Sequence, residues 1–198
     1  MPLEFWFEFA STYSYPAAMR IEQAAAARGV AFVWRPFMLG PIFAAQGRTD
    51  SPFNLFFAKG RYMWRDLERR CAGYGLPFRK PSRFPRSGLL AARVALAAEG
   101  QPWLPDFVRS VYRANFALDR EISDRSEIAR LLEELGIAAN PVIARAEAAE
   151  NKERLRSMTE CAHNRGIFGA PTLLYGEELF WGDDRIEDAL DWAVRHGA

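Results

Sequence analysis

The chain opens on a dense apolar run. From Leu3 to Phe9 (LEFWFEF) every position is aromatic or aliphatic except Glu4 and Glu8, which share one face at a period of two. This pattern predicts a strand buried over most of its surface. Tyr13 to Arg28 (YSYPAAMRIEQAAAAR) is rich in good helix formers and is closed by Gly29. Pro16 fits that helix only within its first turn, where a proline displaces no intrahelical hydrogen bond. Val30 to Pro36 (VAFVWRP) predicts a second strand. Strand, helix and strand in this order make a βαβ unit, with parallel strands and a right-handed crossover.

The pattern then changes. Met38 to Ser51 reads as a long loop, and from Phe53 to about Glu160 the periodicity is mostly helical. Helices are expected at Leu55–Gly73, Gly88–Glu99, Pro102–Ala117, Ser123–Leu135 and Pro141–Arg165, punctuated by Gly100, Gly136 and the Pro77–Pro85 segment. After Gly166, strands return at Thr172–Tyr175 and Leu179–Trp181 around a turn at Gly176-Glu177. A last helix spans Arg185–Arg195. Asp184-Arg185-Ile186-Glu187 reads as its capping box, with a side-chain acceptor at the N-cap and Glu at N3. The order fits an α/β chain: a thioredoxin-like domain (βαβ…ββα) from residues 1–45 and 150–198, split by a helical insertion at 46–149. Periodicity alone does not single that fold out.

Charge narrows the partners. With 26 basic and 25 acidic residues the net charge is +1, so no global field attracts nucleic acid or anionic lipid. No run of about 18 apolar residues is present to span a membrane. Glu4 and Glu8, with no basic segment before the apolar run, argue against a signal peptide. Cys71 and Cys161 are far apart and form no C-x-x-C or zinc pattern. A reducing cytoplasm is the simplest compartment, a lone disulfide between the two staying open. His163 and His196 have no metal or triad spacing, and no Walker, G-x-G-x-x-G or G-x-S-x-G sequence occurs. Metal catalysis and nucleotide binding are therefore not expected. The 14% aromatic content suits either an apolar pocket or an aromatic core.

Four stretches carry candidate chemistry. Ser11-Thr12-Tyr13-Ser14 sits where a strand runs into a helix N-terminus, whose free N–H groups and dipole favour an anion. A redox pair needs two thiols here, and both positions are hydroxyls. Ser11 either caps the helix or donates to a bound anion such as a ligand thiolate. In Gly166-Ile167-Phe168-Gly169-Ala170-Pro171-Thr172, small residues precede a strand-opening proline. A cis Ala170–Pro171 bond would turn the Ala170 N–H and C=O toward an extended peptide; the residues leave the isomer open. In Trp181-Gly182-Asp183-Asp184 the cap accounts for Asp184. Asp183 either complements the helix dipole or binds an ammonium group. Arg61, Arg65 and Arg69 recur every four residues on one helical face. They are either solvated and paired with Asp66 and Glu68, or turned toward an organic anion.

Together FWFEFASTYSYPA, PFNLFFAKGRYMWRDLERR, FPRSGLLAAR and GIFGAPTLLYGEELFWGDDR resemble the 2-hydroxychromene-2-carboxylate isomerases, bacterial relatives of kappa-class glutathione transferases in the DsbA-like branch of the thioredoxin fold. The resemblance runs from about residue 3 to 192. It implies glutathione as cofactor, a small aromatic carboxylate as substrate, and a homodimer. It further implies that Ser11 is the catalytic serine at the glutathione sulfur, and that Ala170 and Pro171 pair with the glutathione backbone. Trp181, Gly182, Asp183 and Asp184 would hold its γ-glutamyl end. Asn54 and Leu55 would meet the aromatic substrate, with Lys59 and Arg86 toward its carboxylate. Thr12 stands where the family often has proline. Ser87-Gly88 replaces a more polar pair, which leaves the exact substrate open. The alternatives are a kappa-like transferase or peroxidase, or a peptide-binding thioredoxin-like module without catalysis.

Overall fold

A computed structural model describes residues 1–48 and 50–197; Thr49, in the expected loop, and Ala198, at the end of the last segment, lie outside the described residues. At its centre is a mixed four-stranded sheet in the order β2–β1–β3–β4. The strands are β1 Leu3–Phe7, β2 Phe32–Pro36, β3 Thr172–Tyr175 and β4 Glu178–Trp181. β1 and β2 pair in parallel, with Phe5 opposite Trp34. β1–β3 and β3–β4 pair antiparallel, with Leu173 opposite both Phe5 and Phe180. This is the thioredoxin-like α/β arrangement that the element order predicts.

Strand alternation sorts β1 into two cores. Leu3, Phe5, Phe7 and Phe9 pack with Ile21 of α1 (Ser14–Ala26) and Leu190 of α10 (Ile186–His196). The same buried cluster includes Leu67 of α4 (Phe57–Gly73), Val94 of α5 (Leu89–Ala97), and Phe107 and Tyr112 of α6 (Leu104–Phe116). It continues through Leu132 of α7 (Arg125–Glu134), Ile143 of α8 (Ala139–Glu147) and Leu155 of α9 (Ala149–Asn164). Sheet and helical block therefore share one core, and truncating a fully buried ring in it costs about 3–5 kcal/mol. Trp6 points to the other face, onto Phe37, Ile42, Ala162 and Leu174.

Four local expectations are corrected. The segment Met38–Ser51 contains a helix, α2 (Leu39–Ala45), which buries Leu39 and Ile42 three residues apart. Pro41 falls in its first turn, so Gly40-Pro41 punctuates less than it suggests. The helix expected at Leu55–Gly73 is two: α3 (Pro52–Leu55) and α4, separated by extended Phe56 (φ −116°, ψ 96°). The corner packs the Phe53 carbonyl onto Gly60, where no Cβ fits. Pro141–Arg165 likewise divides into α8 and α9 at extended Ala148 (ψ 147°). No glycine or proline lies at the break itself; each half turns to bury its own stripe, Ile143 and Ala146, then Leu155 and Thr159. Finally, Asp184 does not cap the last helix. A 3-10 turn at Asp183–Arg185 precedes α10, Arg185 occupies the N-cap position without a side-chain cap bond, and Glu187 pairs with Arg20.

Among the described residues, no helix is long and apolar enough to cross a membrane. Cys71 is buried, Cys161 is exposed, and both are free thiols.

Candidate functional site

The chain leaves β1 through a tight turn in which the Ser11 N–H donates to the Glu8 carbonyl at 2.9 Å. Three residues later α1 begins. Ser11 Oγ accepts from the Ser14 N–H at 3.3 Å and donates to the Ala170 carbonyl at 2.8 Å. One hydroxyl thus serves the helix start and also bridges to the loop before β3. The Ala170–Pro171 bond is cis, and among the described residues the Ala170 N–H has no hydrogen-bond partner. A half-buried hydroxyl at a helix N-terminus therefore meets the loop that carries an unclaimed amide. That set suits an anion joined to an extended backbone.

The other three residues of the tetrad face inward. Thr12 Oγ1 approaches Met63 Sδ of α4 at 3.1 Å, and Ser14 Oγ is buried with no partner among the described residues. The Tyr13 hydroxyl donates to Asp66 Oδ2 at 3.0 Å, and burial first, then Asp66, raises the phenol well above its ordinary range.

The acidic segment lies against the same loop, because the Gly182 N–H donates to the Pro171 carbonyl at 3.0 Å. Trp181 is half exposed, packs at a tilt on Phe168 with centroids 5.1 Å apart, and closes over Gly169. The two aspartates have different surroundings. Asp183 is 1% exposed and accepts from Arg70 Nη1 at 3.2 Å, whereas Asp184 is exposed and lies 3.7 Å from Arg70 Nη2. Burial pushes the Asp183 carboxyl up to about 6, against the opposing pull of Arg70. The open carboxylate of the pair is therefore Asp184, not Asp183.

Arg70 is the site residue that the sequence pattern missed. Its guanidinium reaches Asp66 at 2.8 Å as well as Asp183, tying α4 to Tyr13 and to the acidic turn. Burial alone would raise Asp66, but hydrogen bonds from Arg70 and Tyr13 hold it below its ordinary value. The four-residue stripe drew attention to Arg61, Arg65 and Arg69 instead. Arg61 covers the Phe57 ring, while Arg65 and Arg69 pair with Glu68 and Asp66 on the exposed face. The available signal was position: Arg70 flanks the buried stripe Met63, Leu67, Cys71.

Asn54, Leu55 and Lys59 lie on an exposed shelf formed by α3 and the start of α4. Asn54 Nδ2 donates to Asp50 at 3.0 Å and to the Phe84 carbonyl at 3.4 Å; Lys59 sits over the Phe56 ring. Phe53 brings α3 to Tyr13, with ring centroids 6.3 Å apart. Arg86 is a correction. It is 5% exposed; its terminal nitrogens bond Asp119 at 2.5 Å, Asn115 Oδ1 at 3.2 Å and Ser82 Oγ at 3.1 Å, and its Nε lies 3.4 Å from Glu121. It braces the loop between α6 and α7 and is unavailable to a ligand carboxylate.

A groove of about 610 Å³ lies elsewhere, between β1–β2 and α9, lined by Trp6, Arg35, Met158 and Cys161. Of its charged groups, Glu4 pairs with Arg35 and Arg165, and Arg35 and Arg154 reach Glu99 beside it. Chemistry, not volume, makes the Ser11 junction the candidate site. Among the described residues, no cluster of three or more His, Cys, Asp or Glu side chains forms a metal site.

Residues 2–191 match the DSBA-like thioredoxin domain. The chain belongs to that family. Among curated relatives, a 2-hydroxychromene-2-carboxylate isomerase of Sphingobium xenophagum is 28% identical over 93% of this chain and 94% of its own length. A protein of Caenorhabditis elegans named glutathione S-transferase kappa 2 is 24% identical over 96% of this chain and 90% of its own. A solved structure of a 2-hydroxychromene-2-carboxylate isomerase superposes with a TM-score of 0.87 at 24% identity, covering 100% of this chain and 98% of that one. The cytosolic disulfide reductase DsbM of Pseudomonas aeruginosa, solved with GSH, reaches 0.68 at 19% identity, covering 97% and 95%. At such identities the two structures speak for the fold. The names of the relatives agree with the resemblance that the four motifs carry.

Proposed function

We propose that the protein is a glutathione-dependent isomerase of 2-hydroxychromene-2-carboxylate, or of a closely related aromatic catabolite, yielding the trans-hydroxybenzylidenepyruvate. One observation carries the reading. Ser11 Oγ lies at the N-terminus of α1, bonded to the Ala170 carbonyl, while the two positions that a redox pair needs are hydroxyls. The site is built to hold a thiolate that the chain itself does not provide. Glutathione, when bound, supplies a thiolate nucleophile that adds reversibly to an unsaturated side chain and is not consumed.

The chain's own residues do the rest. Ser11 turns its hydroxyl from the Ala170 carbonyl to the sulfur, and the α1 dipole favours the anion there. Ala170, with its unclaimed N–H, and Pro171 receive the tripeptide backbone. Trp181 and Gly182 flank the γ-glutamyl end. Asp184 offers it the open carboxylate, and Asp183, held by Arg70, stands behind. Asn54, Leu55 and Lys59 orient the aromatic carboxylate, which confines the freedom lost on reaction. This reading takes residues 46–149 as the inserted helical unit and the working state as a homodimer.

The nematode relative's name favours one second reading, a kappa-like glutathione transferase. Absorbance of 2-hydroxychromene-2-carboxylate, followed with and without glutathione, separates the two when free thiol is counted at the end. Turnover that requires glutathione yet leaves the thiol count unchanged supports the isomerase. Thiol lost to a generic electrophile, without isomerisation, supports the transferase. Silence in both, with no glutathione bound, overturns both and leaves a peptide-binding module.

A further inference from the structure

The fold occupies two of the three nitrogens of Arg70. Nε donates to Asp66 Oδ2 at 2.8 Å and Nη1 to Asp183 Oδ2 at 3.2 Å. Nη2 makes no hydrogen bond among the described residues; Asp184 Oδ2 lies 3.7 Å away, beyond hydrogen-bond reach. The other arginines at the acidic turn are engaged differently. Arg20 bonds the Asp183 carbonyl and Glu187 through its terminal nitrogens, and Arg185 bonds Asp188 and Asp184. Arg70 alone of these keeps a terminal nitrogen unspent, and its side chain is 26% exposed against 3% for the closed-in Arg86.

That nitrogen sits beside the Ser11 junction by two routes. The Arg70 guanidinium lies over the Tyr13 ring, 5.6 Å from its centroid, two residues beyond Ser11. On the other side, Ser11 Oγ donates to the Ala170 carbonyl, and the next carbonyl, that of Pro171, accepts the Gly182 N–H at 3.0 Å. A tripeptide spans about 10 Å. Laid along Ala170 and Pro171 with its sulfur at Ser11, it brings its far end to the acidic turn.

An open carboxylate next to an unspent guanidinium edge is the counterpart of an α-amino acid end group, which has an ammonium and a carboxylate on one carbon. Asp184 and Nη2 are too far apart to satisfy each other, and Asp66 and Asp183 hold the guanidinium in place. A ligand that bridges the two therefore finds the cation already ordered. We propose that Arg70 Nη2 receives the α-carboxylate of a γ-glutamyl end group while Asp184 receives the ammonium beside it. The pair selects a γ-linked glutamyl residue, which keeps both charges on one carbon, over an ordinary peptide N-terminus, which offers the ammonium alone. This rests on the reading of the Ser11 junction as a glutathione site and gives Arg70 a ligand contact in addition to its brace on α4.

Two glutathione analogues test the assignment by calorimetry at pH 8. 4-Aminobutanoyl-cysteinylglycine lacks only the α-carboxylate, and glutaryl-cysteinylglycine lacks only the ammonium. The native chain is expected to prefer glutathione over the first analogue about ten-fold, the worth of one charge-assisted hydrogen bond. In R70Q that preference disappears, whereas discrimination against the second analogue persists. A merely structural role lowers all three affinities by one factor and keeps the preference, which overturns the proposal. Should R70Q fail to fold, R70Q/D183N removes the buried carboxylate left unpaired, and its preference is read against that of D183N. If R70Q keeps the preference but requires more of the aromatic substrate, the arginine serves that carboxylate and the proposal fails. If the native chain binds none of the three tripeptides, the functional reading falls and the proposal with it. If it binds glutathione and the preference survives in R70Q, the Arg70 assignment alone falls.

Discussion

Glu8, in the turn after β1, and Asp183, in the 3-10 turn before α10, are two buried carboxyls held in opposite ways. The Glu8 carboxyl has the Ala10 amide beside it and, among the described residues, no ion pair. Asp183 has Arg70 at 3.2 Å and the Arg20 guanidinium on its carbonyl at 3.4 Å. Burial raises both, to about 7 and about 6. An arginine at hydrogen-bond distance therefore moderates the cost of a buried carboxylate without reversing its sign. What differs is the consequence of deletion: Glu8 is costly only through itself, whereas Asp183 becomes costly when its partner goes.

Removing that partner breaks the comparison most strongly. Arg70→Ala is expected to cost about 3 kcal/mol at pH 8, the low end for breaking a buried pair because the arginine is partly exposed. At pH 5 the loss shrinks, since Asp183 protonates below its folded value of about 6. Urea unfolding at the two pH values checks this. Equal losses would assign the effect to the arginine's stem rather than its charge.

Glu8→Gln sharpens the contrast from the other side. A carboxyl raised from 4.5 to about 7 on folding contributes stability fully present below pH 4.5 and lost as pH rises through 7. The full span corresponds to about 3 kcal/mol, and Gln, imperfectly bonded to the Ala10 N–H, recovers about 2 kcal/mol of it at pH 8. Thermal unfolding at pH 4 and pH 8 should therefore show a gain at pH 8 alone. A gain of the same size at both values would contradict the burial argument.

A smaller effect belongs to the Ser11 hydroxyl. Ser11→Ala is expected to lower turnover about ten-fold, or ~1.4 kcal/mol, and to weaken glutathione binding less. Steady-state rates beside calorimetric affinity test it, and equal losses in both count against a role at the sulfur. Smallest is Arg65→Ala, whose exposed pair with Glu68 at 2.7 Å is worth under about 0.5 kcal/mol by chemical denaturation. A larger loss would bring back the reading of that stripe as a working anion site.

The hydroxyl, the loop before Pro171 and the acidic segment were legible because each is a short motif with local chemistry: a helix start, small residues before a strand-opening proline, paired aspartates. The surroundings of Arg70, Arg86 and Glu8 were not, because each is set by distant segments. Arg70 and Asp183 lie 113 residues apart in the chain and meet only when the fold brings α4 up to the 3-10 turn before the last helix. Arg86 looked like any cation in a loop until Asp119 and Asn115 closed around it. The helix breaks at Phe56 and Ala148 escaped notice for a related reason. Their residues propagate a helix well enough alone, and burial of separate stripes redirects the chain.

The sequence by itself determined the order of strands and helices, the faces of β1 and the absence of a dithiol. These follow from periodicity and residue type within a few neighbours, where backbone sterics and hydrophobic patterning act directly. Only the tertiary structure decided which charged groups are buried, which are paired and which stay open to a ligand. A charge's free energy depends on the medium and partners within several ångströms, and those are supplied by segments the local pattern does not see.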